Sequence, residues 1–139
     1  NREEALQSKA EVKVETEQPK QVVHQQPAIK VVYETAIYFS RNQCEYIEES
    51  EYKTTVELLK AFAEHPETQV TLVGWADKTG TEARNEIIST RRAETVKRYL
   101  INKGIAEDRI SCIGKGVDAQ VASDNKARRA EIKLFITEN

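Results

Sequence analysis

A long amphipathic helix predicted over residues 83–103 is the sequence feature that most restricts what this chain can fold into. Its apolar and small residues recur at spacings of three and four, which places them on one stripe of the helix surface. Gly104 follows the last turn and suits a left-handed helix cap. Such a helix is predicted to pack this stripe against the core of the fold. The stripe consists of Asn85, Ile88, Ser89, Arg92, Val96 and Leu100.

The segments around this helix alternate between strand and helix patterns. Strands are predicted over residues 31–39, 69–75, 110–114 and 130–136. A first helix is predicted from residue 50 or 51 to His65, because the residue before Pro66 avoids the helical region. Its apolar stripe is Tyr52, Val56, Leu59, Phe62 and Ala63. The order β-α-β-α-β-β predicts an α/β fold, an α+β sandwich in which two helices pack on one face of a mixed sheet.

The first thirty residues differ in composition from the rest of the chain. They contain five Gln, two Pro and no Gly, and their apolar residues are scattered. This composition is typical of a linker. Residues 1–30 are therefore predicted to be a largely irregular tether, and residues 31–139 to form the folded domain. The chain does not begin with Met and has no signal-like apolar segment, so we expect it to be a piece of a longer protein.

Charge and cysteine content argue against several classes of function. The 139 residues include 21 Lys+Arg and 23 Asp+Glu, a net charge of -2, which gives no electrostatic reason to expect nucleic acid as a partner. No apolar run approaches the roughly 20 residues of a membrane helix.

Cys44 and Cys112 lack metal-ligand spacing to each other and to His24 and His65, so neither a metal nor a cofactor is predicted. We expect the two cysteines to be buried thiols, with one disulfide as the alternative.

No catalytic residue is predicted. Of the two histidines, His24 lies in the tether and His65 ends a helix, so no nucleophile–base pair is evident. The stretch Gly114-Lys115-Gly116 is too short for a phosphate-binding glycine loop and precedes no predicted helix. An enzyme is therefore not expected.

Asp77 and Arg92 are the charged residues whose placement carries information. Arg92 lies at the edge of the apolar stripe, where a guanidinium is costly to desolvate unless an anion meets it. Asp77 lies in the turn that leads into the same helix. The simpler interpretations are an ion pair, or a turn acid that bonds its own backbone beside an arginine that reaches water. The alternative is that both charges face one cleft and receive a zwitterion, the carboxylate on Arg92 and the ammonium on Asp77.

Two motifs around these charges resemble the OmpA-like peptidoglycan-binding family. Residues 74–80 read GWADKTG and residues 85–96 read NEIISTRRAETV. The family has a Gly-His-Thr-Asp-x-x-Gly loop and then Asn-x-x-Leu-Ser-x-x-Arg-Ala-x-x-Val on a helix, with the same spacing between its key Asp and Arg. Further matches are IYF at 37–39, KGI at 103–105 and RRAEI at 128–132. The resemblance covers roughly residues 36–136.

The resemblance implies noncatalytic binding of the diaminopimelate of the peptidoglycan peptide stem, on the periplasmic side of the bacterial outer membrane. Such binding would anchor the outer membrane to the cell wall. The implied ligand-binding residues are Asp77, Arg92, Asn85 and Asn42. The alternative function is a periplasmic protein-interaction module that keeps the fold without wall binding, because the loop is atypical.

The departures from the family pattern lie in the loops. Trp75 and Ala76 stand where the family usually has His and Thr, so we expect a changed pocket wall formed by Trp75, Ala76 and Thr79. Ser40 replaces an Asp often found after the aromatic pair of the first strand. The segment before Arg128 is short and has Ala127 at a family Asn position, which leaves contacts from this late loop open.

Overall fold

Four strands and two long helices make up the part of the chain that the computed structural model describes, residues 28–138. The strands are β1 (Ala28–Tyr38), β2 (Gln69–Ala76), β3 (Ile110–Val117) and β4 (Arg129–Glu138). The helices are α1 (Tyr52–Glu64), α2 (Glu82–Asn102) and the short α3 (Asp124–Ala127). Single 3-10 turns lie at Glu49–Glu51 and Glu107–Arg109. Most of the predicted tether lies outside the described residues, and one compact unit spans Val31–Ile136.

The strands form one mixed sheet in the order β1-β4-β2-β3. The central strand β2 runs parallel to β3 and antiparallel to β4. One face of β2 is buried at every second residue, and there it shares a core with both long helices. That core joins Ile37, Leu58, Phe62, Leu72, Val96, Leu100, Ile132 and Leu134. The predicted fold class is confirmed.

Helix α2 buries the stripe that its sequence predicts. All six residues of the predicted stripe are buried, together with Ala93 and Thr95. The Thr81 side chain caps the helix start by accepting a hydrogen bond from the Arg84 backbone N–H at 3.1 Å,. At the other end, Gly104 has a φ of 99° and lets the Ile105 N–H donate to the Leu100 carbonyl at 3.0 Å,.

The stripe predicted for α1 is partly wrong. Tyr52 and Val56 are 55% and 64% exposed, whereas Thr55, Leu58, Ala61 and Phe62 are the buried residues. Thr55 is compatible with burial because its hydroxyl donates to the Tyr52 carbonyl within the helix at 2.7 Å,. The buried face is therefore rotated away from the predicted one.

Two glycines let α2 lie directly against the sheet. A Cβ atom built on Gly74 in β2 would lie 1.8 Å from the Ser89 carbonyl oxygen, and one on Gly114 in β3 would lie 2.3 Å from the Thr90 backbone N. Ser89 adds a hydrogen bond at this contact, since its Oγ accepts from the Gly116 N–H at 2.8 Å. The close approach fixes the start of α2 beside the end of β2.

The predicted late loop contains a turn of helix, α3, that the sequence pattern did not indicate.

The two cysteines are free thiols, Cys44 buried and Cys112 partly buried. Within residues 28–138 no helix has both the length and the apolar composition of a membrane-spanning segment.

Candidate ligand-binding site

A cavity of about 310 Å³ opens between the end of β2, the start of α2 and the loop that follows β1. The loop after β1 brings in Asn42, the turn after β2 brings in Asp77, and α2 brings in Asn85 and Arg92. The structure thus brings together the four residues that the sequence singled out. The full lining is Arg41, Asn42, Ala76, Asp77, Thr79, Gly80, Arg84, Asn85, Ile88 and Arg92.

Arg92 is buried and bonded to the backbone of two separate segments. Its side chain is only 1% exposed. Its Nε donates to the Gln43 carbonyl at 3.0 Å, Nη1 to the Trp75 carbonyl at 2.9 Å and Nη2 to the Ser40 carbonyl at 3.2 Å. The guanidinium also lies 5.4 Å from the centroid of the Phe39 ring. These contacts fix the side chain and hold the loop after β1 against β2.

The charge of Arg92 has no carboxylate partner among residues 28–138 at ion-pair distance. Burial lowers the pKa of Arg92 from its ordinary value to about 10, so the side chain stays protonated at neutral pH. A guanidinium has five N–H donors, and three are used by the carbonyls. One N–H on each terminal nitrogen is left, in a side chain that lines the cavity.

Asp77 is also buried, at 5% exposure. Its Oδ1 accepts hydrogen bonds from the backbone N–H and the hydroxyl of Thr79. Its Oδ2 accepts from Arg128 Nη1 at 3.1 Å. Burial alone would raise the pKa of Asp77, but the hydrogen bonds from Thr79 and Arg128 outweigh it and hold the pKa below its ordinary value of 3.8,. The carboxylate is therefore ionised at neutral pH.

The ion pair that the sequence suggested between Asp77 and Arg92 is not formed in the structure. Asp77 pairs with Arg128 instead, which also donates to the Phe39 carbonyl at 3.0 Å and to Asn125 Oδ1 at 2.6 Å. Sequence reasoning left contacts from this late loop open and assigned Arg128 no role. The available signal was the arginine pair Arg128-Arg129, which lies where α3 ends and β4 begins, within the stretch that matches the family.

Asn85 and Asn42 take different structural positions. Asn85 lies in the first turns of α2, whose start is capped by Thr81. It is 5% exposed, and among the described residues its side-chain amide has no hydrogen-bond partner. Asn42 has a φ of 61°, a left-handed conformation that Asn tolerates better than most residues. Both line the cavity.

The predicted pocket wall needs one correction. Ala76 and Thr79 line the cavity, but the Trp75 side chain does not. Alternation along β2 turns the Trp75 ring to the opposite face of the sheet. There its Nε1 donates to Glu131 Oε1 at 3.0 Å, and the ring lies between Lys115 and Arg129, 5.9 Å and 5.3 Å from its centroid. Only the backbone carbonyl of Trp75 contributes to the site, because it accepts a hydrogen bond from Arg92.

Glu48 organises the loop after β1. It accepts from the Ser40 N–H at 2.6 Å, from the Ser40 hydroxyl at 2.7 Å and from Gln43 Nε2 at 2.7 Å. Although burial opposes it, these bonds hold the pKa of Glu48 below its ordinary value. Thr95 on α2 donates to the Cys44 carbonyl of the same loop. Ser40 and Gln43, whose carbonyls Arg92 binds, are thus positioned by a carboxylate that sequence reasoning missed.

A comparison with protein-family models is consistent with this geometry. The model described as the OmpA family matches residues 38–133 of the chain. This is more than half of the chain. The chain belongs to the OmpA family. The OmpA-family domain includes every residue of the cavity and the Arg128 that pairs with Asp77.

Curated relatives of the domain match parts of it. Outer membrane protein A of Bordetella avium is 46% identical over 68 residues, 45% of this chain and 35% of that protein. A Mycobacterium tuberculosis protein named peptidoglycan-binding protein ArfA is 38% identical over 73 residues, 48% of this chain and 22% of that protein. The matches thus span between 22% and 35% of these relatives' length.

Solved structures share the fold. The peptidoglycan-associated lipoprotein from Burkholderia pseudomallei matches with a TM-score of 0.62 and 21% identity, covering 71% of this chain and 88% of that one. The C-terminal domain of Helicobacter pylori MotB matches with a TM-score of 0.64 and 20% identity, covering 75% of this chain and 85% of that one. At these identities the likeness shows that this OmpA-family domain has their fold.

Proposed function

We propose that this domain binds bacterial peptidoglycan without chemically altering it, through the zwitterionic end of diaminopimelate in the peptide stem. Arg92 receives the ligand carboxylate and Asp77 receives the ligand ammonium. The observation that carries the proposal is Arg92, a buried, protonated guanidinium that lines a cavity without an ion-pair partner among the described residues.

Arg92 suits a carboxylate because of the donors that it has left. The three backbone carbonyls satisfy one N–H on each nitrogen, and the two free N–H groups match the two oxygens of a carboxylate. Because the guanidinium is already desolvated and fixed, the ligand gains this contact without ordering the side chain.

Asp77 has fewer free acceptor positions than Arg92 has free N–H donors, which suits a single ammonium group. A carboxylate offers about four lone-pair positions, and Thr79 and Arg128 occupy three of them. One remaining position accepts one ammonium N–H. Asn85 and Asn42 supply neutral polar contacts beside the two charges, and Ala76 and Thr79 form part of the wall.

Relatives support the same biological setting. The names of two of them contain the terms outer membrane protein and peptidoglycan-binding. We place the domain on the periplasmic side of the bacterial outer membrane, where binding to the peptide stem holds that membrane to the cell wall. The domain acts as a binding module rather than an enzyme, without a cofactor or a metal.

Calorimetric titration with a synthetic stem tripeptide that ends in meso-diaminopimelate tests the proposal. The matched ligand is the same tripeptide with lysine in place of diaminopimelate, which keeps the ammonium and lacks the adjacent carboxylate. We expect saturable binding of the first peptide and at least about tenfold weaker binding of the second, because the Arg92 contact is lost. Asp77→Asn and Arg92→Lys should both weaken binding of the diaminopimelate peptide.

The control variant is Asp108→Asn, which removes an exposed carboxylate that does not line the cavity. It should bind like the wild type. If the wild type shows no saturable binding, or binds both peptides equally, the proposal is wrong.

The second candidate function, a protein-interaction module, is favoured by one other observation. A separate groove of about 960 Å³ runs along α1 and α2 and includes the exposed side chains of Tyr46, Tyr52, Val56 and Ile101. An exposed apolar surface of this kind is typical of a contact site for another protein. Absence of any peptide binding by a folded wild-type domain would favour this alternative.

A further inference from the structure

The cavity holds more positive charge than a single zwitterion can balance. Three arginines line it, Arg41, Arg84 and Arg92, against one acid, Asp77. That acid is already paired with a fourth arginine, Arg128. A diaminopimelate head group brings one ammonium and one carboxylate and so adds no net charge.

Arg41 and Arg84 are the arginines whose charge the proposed function does not use. Both have exposed side chains. Within residues 28–138 neither guanidinium has an ion pair or a side-chain hydrogen bond. Arg41 lies in the loop after β1, and Arg84 lies in the first turn of α2. They therefore approach the cavity rim from two different elements.

The excess of positive charge at this cavity does not follow from the composition of the chain. The net charge of the whole sequence is -2. A neighbouring cavity of about 410 Å³ shares Gly80 and Asn85 with the site, yet its charged residues balance, Lys78 and Lys115 against Glu82 and Glu86. The cavity lined by Arg92 and Asp77 therefore has an excess of positive charge that this neighbouring cavity lacks.

From this charge distribution we infer that Arg41 and Arg84 bind a second carboxylate of the ligand, next to the zwitterionic end. The inference rests on the proposed function and names the class of stem that the site selects. In a stem tripeptide the terminal diaminopimelate carries such a carboxylate at its other end. An amide removes that charge, and a further residue joined there moves it one residue away from diaminopimelate. The site therefore prefers stems that end in a free carboxylate at diaminopimelate.

A pair of ligands tests this preference directly. One is the stem tripeptide with a free carboxylate on diaminopimelate, and the other is the same tripeptide with that carboxylate converted to a carboxamide. We expect the wild type to bind the acid about threefold to tenfold more tightly than the amide, as two exposed charge contacts would give. Higher salt should reduce the difference.

Arg41→Gln and Arg84→Gln remove the two charges and keep side chains that can form hydrogen bonds. Each should weaken binding of the acid by about twofold to fivefold and leave binding of the amide unchanged. Arg91→Gln is the matched control, because Arg91 is an exposed arginine of α2 that does not line the cavity. It should affect neither ligand.

The outcomes separate the two proposals. If the wild type binds acid and amide equally, or if the variants weaken both ligands alike, the second-carboxylate inference is wrong while wall binding stands. If the wild type binds neither ligand, the proposed function fails and the inference fails with it.

Discussion

Arg92 has a structural role beside its proposed ligand contact, and Arg92→Ala should expose that role as a loss of stability. The substitution leaves the carbonyls of Ser40, Gln43 and Trp75 without their donors. A buried acceptor without a partner costs roughly 1–3 kcal/mol. The lower end applies here, because the cavity opens to solvent and water can reach the carbonyls. The expected destabilisation is about 3 kcal/mol, or about 12 °C in melting temperature for a domain of this size.

Urea unfolding measures this loss, followed by the fluorescence of Trp75, the only tryptophan of the chain. Arg91→Ala is the control, since it removes the preceding, exposed arginine from the same helix and should change the unfolding free energy by less than about 0.5 kcal/mol. If Arg92→Ala unfolds at the same urea concentration as Arg91→Ala, the contacts between Arg92 and the three carbonyls do not stabilise the fold.

Three further predictions concern the same architecture. Because the pKa of Asp77 is depressed in the folded state, its contribution to stability is complete above the ordinary pKa and is lost as pH falls through the folded value. The difference in unfolding free energy between wild type and Asp77→Asn should therefore be constant above about pH 5 and shrink below about pH 4, as urea unfolding across pH will show. Gly74→Ala should cost at least about 3 kcal/mol, since its Cβ would lie 1.8 Å from the Ser89 carbonyl oxygen; a melting temperature near that of wild type would contradict this. Glu48→Ala should weaken binding of the diaminopimelate tripeptide and lower stability by about 1–2 kcal/mol, whereas calorimetry and melting curves of Glu49→Ala, at an exposed position, should match wild type.

The fold was predictable where the periodic pattern is long. In α2 every predicted stripe residue is buried. The pattern extends over many helical turns, so a single residue that departs from it does not change which face is predicted to be buried. In α1 the pattern failed, because the sequence ranks Tyr52 and Val56 as apolar while the structure leaves them exposed. The burial of Thr55 depends on a hydrogen bond inside its own helix, and hydrophobicity does not predict that bond.

The site was predictable only in part. Motif spacing singled out Asp77 and Arg92, and the structure places both at one cavity. The pairing of Asp77 with Arg128 joins residues 51 positions apart, which a single sequence does not show. Two of the carbonyls that bind Arg92, those of Ser40 and Gln43, belong to the irregular loop after β1 and the third, that of Trp75, to β2; a backbone carbonyl is common to every residue type, so the sequence did not mark them. Alternation along β2 places the Trp75 side chain on the face opposite to that of Ala76, so this part of the pocket wall was predictable from the strand pattern.

Under the proposed function, the pairing of Asp77 with Arg128 affects how long each contact with a peptide stem lasts. In the free protein the carboxylate is already neutralised by a cation of the chain itself, so an incoming ammonium gains less at Asp77 than it would at a bare carboxylate. The proposed ammonium contact is then weaker than a bare carboxylate would give, so we expect each bound stem to be released more readily. A wall polymer presents the same head group many times, so release from one stem is followed by capture of a neighbour at high local concentration. We therefore expect attachment to the polymer to persist although each single contact is short-lived.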